Sequence, residues 1–211
     1  MKPPTLRADT AIEKATVYTG ASAKPLKEAT VLITGETLAY VGPHAKRPDY
    51  QAKETIDGRG MTLLPGLIDL HVHALINEAT LASFLANGVT AIRDLASDPF
   101  HALEWKAREQ TGLIASPRIF TSGPVLTCPH GYPENVWGPQ LALKLTGRYQ
   151  AEEKVRQLAG LGMDLIKLGL EHELGPCLSQ TEVEAAVDAA HSLGKRVTAH
   201  ITDARDFESC V

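Results

Sequence analysis

The chain has 211 residues, 44% of them hydrophobic, with 21 Lys and Arg against 25 Asp and Glu and a formal net charge of -4. That composition is globular, and its mild acidity leaves no basic footprint, so nucleic acid is not an expected partner. No window reaches the ~20 apolar residues of a membrane span, and MKPPTLRADTAIEKA lacks the apolar run of a secretory signal, so the expected location is cytoplasmic, with no membrane partner.

Residues 1–62 read as β-rich. ATVYTG, EATVLITG and ETLAYVG are short, rich in β-branched and aromatic residues, and punctuated by glycine, with Gly35 opening the return strand of a hairpin. From residue 63 to 211 the pattern alternates. Five strands are expected at LPGLIDLHVH, VTAIRDLAS, RIFTSGPVLT, LIKLGL and RVTAHI. Helices are expected between them: EATLASFLANG stops at Gly88, Asp98 caps the helix that begins at Pro99, YQAEEKVRQLAGLG ends at Gly162, and Ser179 with Glu182 forms a capping box. Strands alternating with helices imply an α/β fold with a parallel sheet. The phosphate-binding glycine signatures of doubly wound sheets are missing. Polar residues collect instead at the C-terminal ends of the strands, where (β/α)8 barrels build their sites. Cys128, Cys177 and Cys210 form no C-x-x-C and suggest a reducing compartment with buried or incidental thiols.

The chemistry-bearing residues are few. His71 and His73 stand two apart at the end of PGLIDLHVH, so a strand turns both imidazoles to one side and Val72 to the other. Two neutral imidazoles on one face can share a metal ion, although an isolated pair is also compatible with core packing. Lys167 is the single charge in LIKLGL. It must reach solvent, find a partner, or lose its proton and become nucleophilic, toward a carbonyl or toward carbon dioxide. His200 closes VTAHI, again at the C-terminal end of an expected strand. The long segment TCPHGYPENVWGP follows the third strand and carries His130, Tyr132 and Trp137.

PGLIDLHVH, a later strand carrying Lys167, and VTAHI together resemble the amidohydrolase superfamily of metal-dependent hydrolases, over nearly the whole chain. GVTAIRDLAS, SGPVLT and GMDLIKL are most similar to its imidazolonepropionase-related, dipeptidase-like branch. The resemblance implies the first five βα units of a (β/α)8 TIM-type barrel at 63–211, preceded by a small β-sandwich segment at 1–62. It implies that His71 and His73 bind one divalent metal, that Lys167, carboxylated to a carbamate, bridges two, and that His200 binds the second, the ions being of the Zn2+ type. Two such ions would share an activated hydroxide that cleaves a C–N bond in a small amide or dipeptide. His130 is the candidate for catalytic contact with the substrate carbonyl. Lys167 sets the chain with two-metal members rather than with one-metal deaminases and imidazolonepropionase itself. Arg93 and Asp94 are expected to form a structural pair; Glu171 and Glu173, near the fourth strand, could approach the metals but are read as a solvated loop; His101, His172 and His191 are given no role.

The 211 residues supply five of eight strands and stop at DARDFESCV, without the family's further histidine on strand six and aspartate on strand eight. The expected partners are therefore a small-molecule substrate and either a second copy or the C-terminal half of such a barrel. Two other readings remain: a catalytically incomplete fragment acting as a metal-binding or assembly module, and a Schiff-base barrel using Lys167.

Overall fold

The computed structural model describes residues 5–73 and 77–208, and its chain divides into two compact units, Met1–Pro65 and Gly66–Val211. In the first unit, β1 (Leu6–Val17), β2 (Leu26–Thr34), β3 (Thr37–Pro43), β4 (Tyr50–Asp57) and β5 (Thr62–Leu63) form one 5-stranded mixed sheet in the order β3-β2-β1-β4, with β5 also on β1. Thr34 pairs with Thr37, so Gly35 and Glu36 alone make the turn, and Gly35 takes φ 56, the left-handed region that glycine enters without a Cβ clash. Adjacent residues of β2 point to opposite faces: Val31 packs with Ala15, Val17 and Ala29, and Leu32 with Ala8 and Ala11.

The second unit alternates as its sequence pattern predicts. Its elements are β6 (Leu67–Val72), α1 (Glu78–Ala86), β7 (Val89–Asp94), α2 (Pro99–Gln110), β8 (Arg118–Thr121), β9 (Val125–Thr127), α3 (Glu134–Trp137), β10 (Ala142–Lys144), α4 (Gly147–Leu161), β11 (Leu165–Gly169), α5 (Gln180–Ser192), β12 (Arg196–His200) and α6 (Ala204–Glu208). All strand pairs are parallel, in a 3-stranded sheet β6-β7-β8 and a 4-stranded sheet β10-β9-β11-β12. The fold is thus α/β with parallel sheets.

The stretch RIFTSGPVLT is two strands, not one. Gly123 takes φ 64, and Pro124 brings no N–H to a ladder, so the chain leaves β7 after Thr121 and joins β11 at Leu126. Asp164 stitches the gap. Its N–H donates to the Thr121 carbonyl at 2.9 Å, its carboxylate accepts from the Thr121 N–H at 2.9 Å, and Lys106 holds that carboxylate at 2.6 Å. The segment after β9 is likewise more ordered than a plain loop, since it contains α3 and β10.

The larger core lies between α4, α5 and the second sheet: Val155, Leu158, Val183, Ala186 and Ala190 meet Leu126, Ile166 and Leu168. The smaller one sets Leu81 against Ile92 and Ile119. Caps hold the helices in register. The Asp98 carboxylate accepts from the His101 N–H at 2.9 Å, and the reciprocal Ser179–Glu182 box is present. Glu182 also accepts from the Gly147 N–H at 2.6 Å, so one buried carboxylate serves the starts of both α4 and α5. Among the described residues β6 pairs only with β7 and β12 only with β11, and Ile68 on the β6 edge is 62% exposed. No helix of the described residues is long and apolar enough to cross a membrane.

Candidate metal centre

β6 presents the two histidines through a local irregularity. Asp69 pairs with Ile92 and Val72 with Asp94, so three steps along β6 match two along β7. The Asp69 carboxylate accepts from the His71 N–H at 3.0 Å inside that bulge. Val72 packs with Leu81 and Ile92, while the rings of His71 and His73 converge with their Nε2 atoms 2.9 Å apart. Burial lowers both pKa values, followed by neighbouring positive charge. His71 is pushed below its usual range, and His73 falls to about 4. Both rings are therefore neutral near pH 7.

β11 is buried along its whole length, and Lys167 is 1% exposed within it. Ile166 and Leu168 face α4 and α5, which turns Lys167 to the opposite side of the sheet. Burial, then the Arg93 guanidinium, lowers its pKa to about 8, and no carboxylate counters them. A substantial neutral fraction is accessible to this amine close to physiological pH.

β12 runs beside β11 with Gly169 paired to His200. The imidazole of His200 stacks on Tyr132, with centroids 4.1 Å apart and planes at 25°. Its Nε2 lies 3.3 Å from the carboxylate of Glu171, which is buried and also accepts from the Thr202 hydroxyl at 2.7 Å. Trp137 sits edge-on to His73 at 5.3 Å and to Tyr132 at 5.5 Å. Lys167 and His200 both act electrostatically on His71 and on His73. Four expected residues, His71, His73, Lys167 and His200, thus occupy one neighbourhood.

His130 stands apart from them. It is exposed, takes φ 64, and its N–H donates to Glu134 at 2.9 Å; no contact of its ring with the four is present among the described residues. Arg93 donates to the Leu70 carbonyl at 2.7 Å, while Asp94 receives the hydroxyls of Ser97 and Thr121. Glu171 is not the solvated residue expected of its loop, because the fold buries it against His200 and Thr202. The sequence placed it near the metals only as the lesser alternative, on the one local signal of its position just past the strand that carries Lys167. Cys210 lies outside the described residues.

These donors fit a divalent cation. Two neutral ring nitrogens face each other, and His73 Nδ1 is buried without a hydrogen-bond partner among the described residues. Imidazoles beside an amine that readily sheds its proton form a set suited to zinc-class ions. With Nε2 of His200 donating to Glu171, Nδ1 keeps the lone pair.

Residues 62–209 match the model of the amidohydrolase family. A 61-residue stretch is 38% identical to imidazolonepropionase of Arthrobacter sp. (strain FB24), covering 29% of this chain and 15% of that protein. A Xaa-Pro dipeptidase with methionine bound in its active site superposes with TM-score 0.81 at 24% identity, over 95% of this chain and 58% of that one. A prolidase complexed with N-methylphosphonate-L-proline superposes with TM-score 0.77 at 25% identity and the same coverage. The chain therefore spans little more than half the length of these solved structures.

Proposed function

The chain belongs to the amidohydrolase family, and on that premise we propose that it carries the cation-binding part of a hydrolase acting on C–N bonds of small amides, with dipeptides as the substrate class. The observation that carries this reading is the meeting of His71, His73, Lys167 and His200, with two uncharged imidazoles facing each other and a buried lysine lowered to about 8. The dipeptide class is supported by the likeness to a prolidase, which superposes over 95% of the chain at 25% identity. We read the second unit as the opening five βα units of a (β/α)8 barrel and the first as part of a small β-sandwich.

His71, His73 and His200 would hold two divalent ions with Lys167, as its carbamate, between them. Bound there, such ions supply Lewis acidity and a lowered pKa for water. The remaining work falls to the chain's own side chains. Glu171 keeps the His200 proton on Nε2, and Tyr132 fixes the plane of that ring. Trp137 walls off His73 on its edge. Lys167 reaches its reactive neutral form because the core around β11 excludes water. His130, held at a positive φ on the loop after β9, contacts the substrate carbonyl in this reading.

The test is metal analysis joined to hydrolysis. The 211-residue chain, dialysed against Zn2+ with bicarbonate, is expected to retain ions that the His71→Ala/His73→Ala variant loses. A carbonyl-13C carbamate signal from labelled bicarbonate should be present and vanish in Lys167→Met. Protein carrying these residues should hydrolyse dipeptides and stop when chelated. Zinc content equal in wild type and the double variant, with no dipeptide hydrolysis by the metal-loaded protein, would overturn the reading.

A further inference from the structure

We propose that His172, Cys177 and Asp206 form a second cation site, distinct in residues from the first, which takes one zinc-class divalent ion. An imidazole nitrogen, a thiol sulfur and a carboxylate oxygen, one from each residue, lie within 4.8 Å of one another. They come from two separate stretches: His172 and Cys177 from the loop between β11 and α5, and Asp206 from α6.

The surroundings favour a cation. The Asp206 side chain is 0% exposed; it bonds His172 Nδ1 and accepts from the Thr202 N–H at 3.2 Å and the Thr202 hydroxyl at 3.3 Å. Glu171 is buried in the same network through Thr202. Among the described residues neither carboxylate forms an ion pair with a lysine or arginine; Asp206 pairs with His172 and Glu171 with His200. A divalent ion between the three donors would add a fixed positive charge, which neither carboxylate receives from a lysine or arginine among the described residues. The Glu171 N–H donates to Cys177 Sγ at 3.0 Å and fixes the position of the sulfur; burial holds this thiol above its usual pKa, and that hydrogen bond offsets part of the rise. Mixed nitrogen, sulfur and oxygen donors select zinc-class ions over calcium or magnesium, and three protein ligands leave a fourth position for water.

The ion would tie the loop after β11 to the helix after β12. Thr202 bonds both Asp206 and Glu171, and Glu171 in turn bonds His200, so the clamp would brace the group that orients His200. The inference itself stands on the three donors and does not depend on the proposed activity.

Cobalt(II) titration of the 211-residue chain tests it, because a thiolate ligand adds a near-ultraviolet charge-transfer band that the cysteine-free His71, His73, Lys167 and His200 set cannot produce. The band is expected in wild type and in the His71→Ala/His73→Ala variant. It should disappear in Cys177→Ser, persist in Cys128→Ser and Cys210→Ser, and require at least about tenfold more cobalt in His172→Gln. Alkylation of Cys177, followed by peptide mass mapping, gives a reading on wild-type protein alone: zinc should slow it at least about tenfold. Absence of the band in wild type at saturating cobalt, its survival in Cys177→Ser, or alkylation indifferent to zinc would overturn the site.

Discussion

The carboxylate of Glu171 lies 3.3 Å from Nε2 of His200, just beyond the ends of two adjacent parallel strands. A carboxylate behind an imidazole fixes which nitrogen carries the proton and strengthens the other as a ligand. Glu171→Ala is therefore expected to weaken zinc binding at the centre of His71, His73, Lys167 and His200 by about 10–100-fold, with Glu171→Gln less severe. Calorimetric zinc titration of both variants in a Cys177→Ser background isolates that centre from the thiol cluster.

Lys167 should limit the stability of the metal-free chain. A pKa lowered from 10.5 to about 8 means that burial, with the Arg93 charge adding to it, opposes the charged amine by about 3 kcal/mol. Between those values the unfolded chain holds the proton and the folded one does not, so stability rises with pH across that window and is lowest below it. Lys167→Met is expected to be more stable than wild type by up to about 3 kcal/mol near pH 7 and to lose that advantage near pH 10. Urea unfolding of both proteins in chelator, without bicarbonate, measures the difference.

His73 makes the opposite end of the pH range sensitive. Its pKa falls from 6.5 to about 4 through burial and the nearby His71, Lys167 and His200. Below pH 6.5 the unfolded chain takes up a proton that the folded chain refuses until about 4, so stability declines as pH falls through that interval. In His73→Gln the decline over this interval should be shallower. Unfolding midpoints of the two proteins across the acid range, in chelator, decide it.

Gly169 is where β11 and the Tyr132 loop touch. A Cβ there would sit 2.3 Å from the Tyr132 carbonyl oxygen, a backbone atom that cannot rotate away. Gly169→Ala should displace the Tyr132 backbone, spoil its stacking on His200, and cost about 1–3 kcal/mol. Unfolding free energy together with Tyr132–His200 ring contacts in NMR spectra would check both parts; an unchanged stack would contradict the account.

Periodicity and punctuation carried most of the local structure. The Gly35 hairpin, the Asp98 cap and the Ser179–Glu182 box each depend on neighbours within a few residues, and so each was readable. RIFTSGPVLT was misread because its division depends on Asp164, some forty positions away, and on which ladder each half joins. The preference for a solvated Glu171 failed for the same reason: a loop glutamate is ordinarily solvated, and this one is buried where Thr202 and His200, some thirty positions away, meet its carboxylate.

The sequence by itself determined the alternation of strands and helices, the pairing of His71 with His73 on one side of a strand, and the isolation of Lys167 in an apolar segment. These follow from repeat lengths and side-chain chemistry along a single element. Only the tertiary structure decided that Lys167 loses its solvent, that His200 turns Nε2 to a buried carboxylate, and that His172, Cys177 and Asp206 meet. Burial and convergence are sums over segments distant in the chain, and no local pattern encodes which of those segments become neighbours.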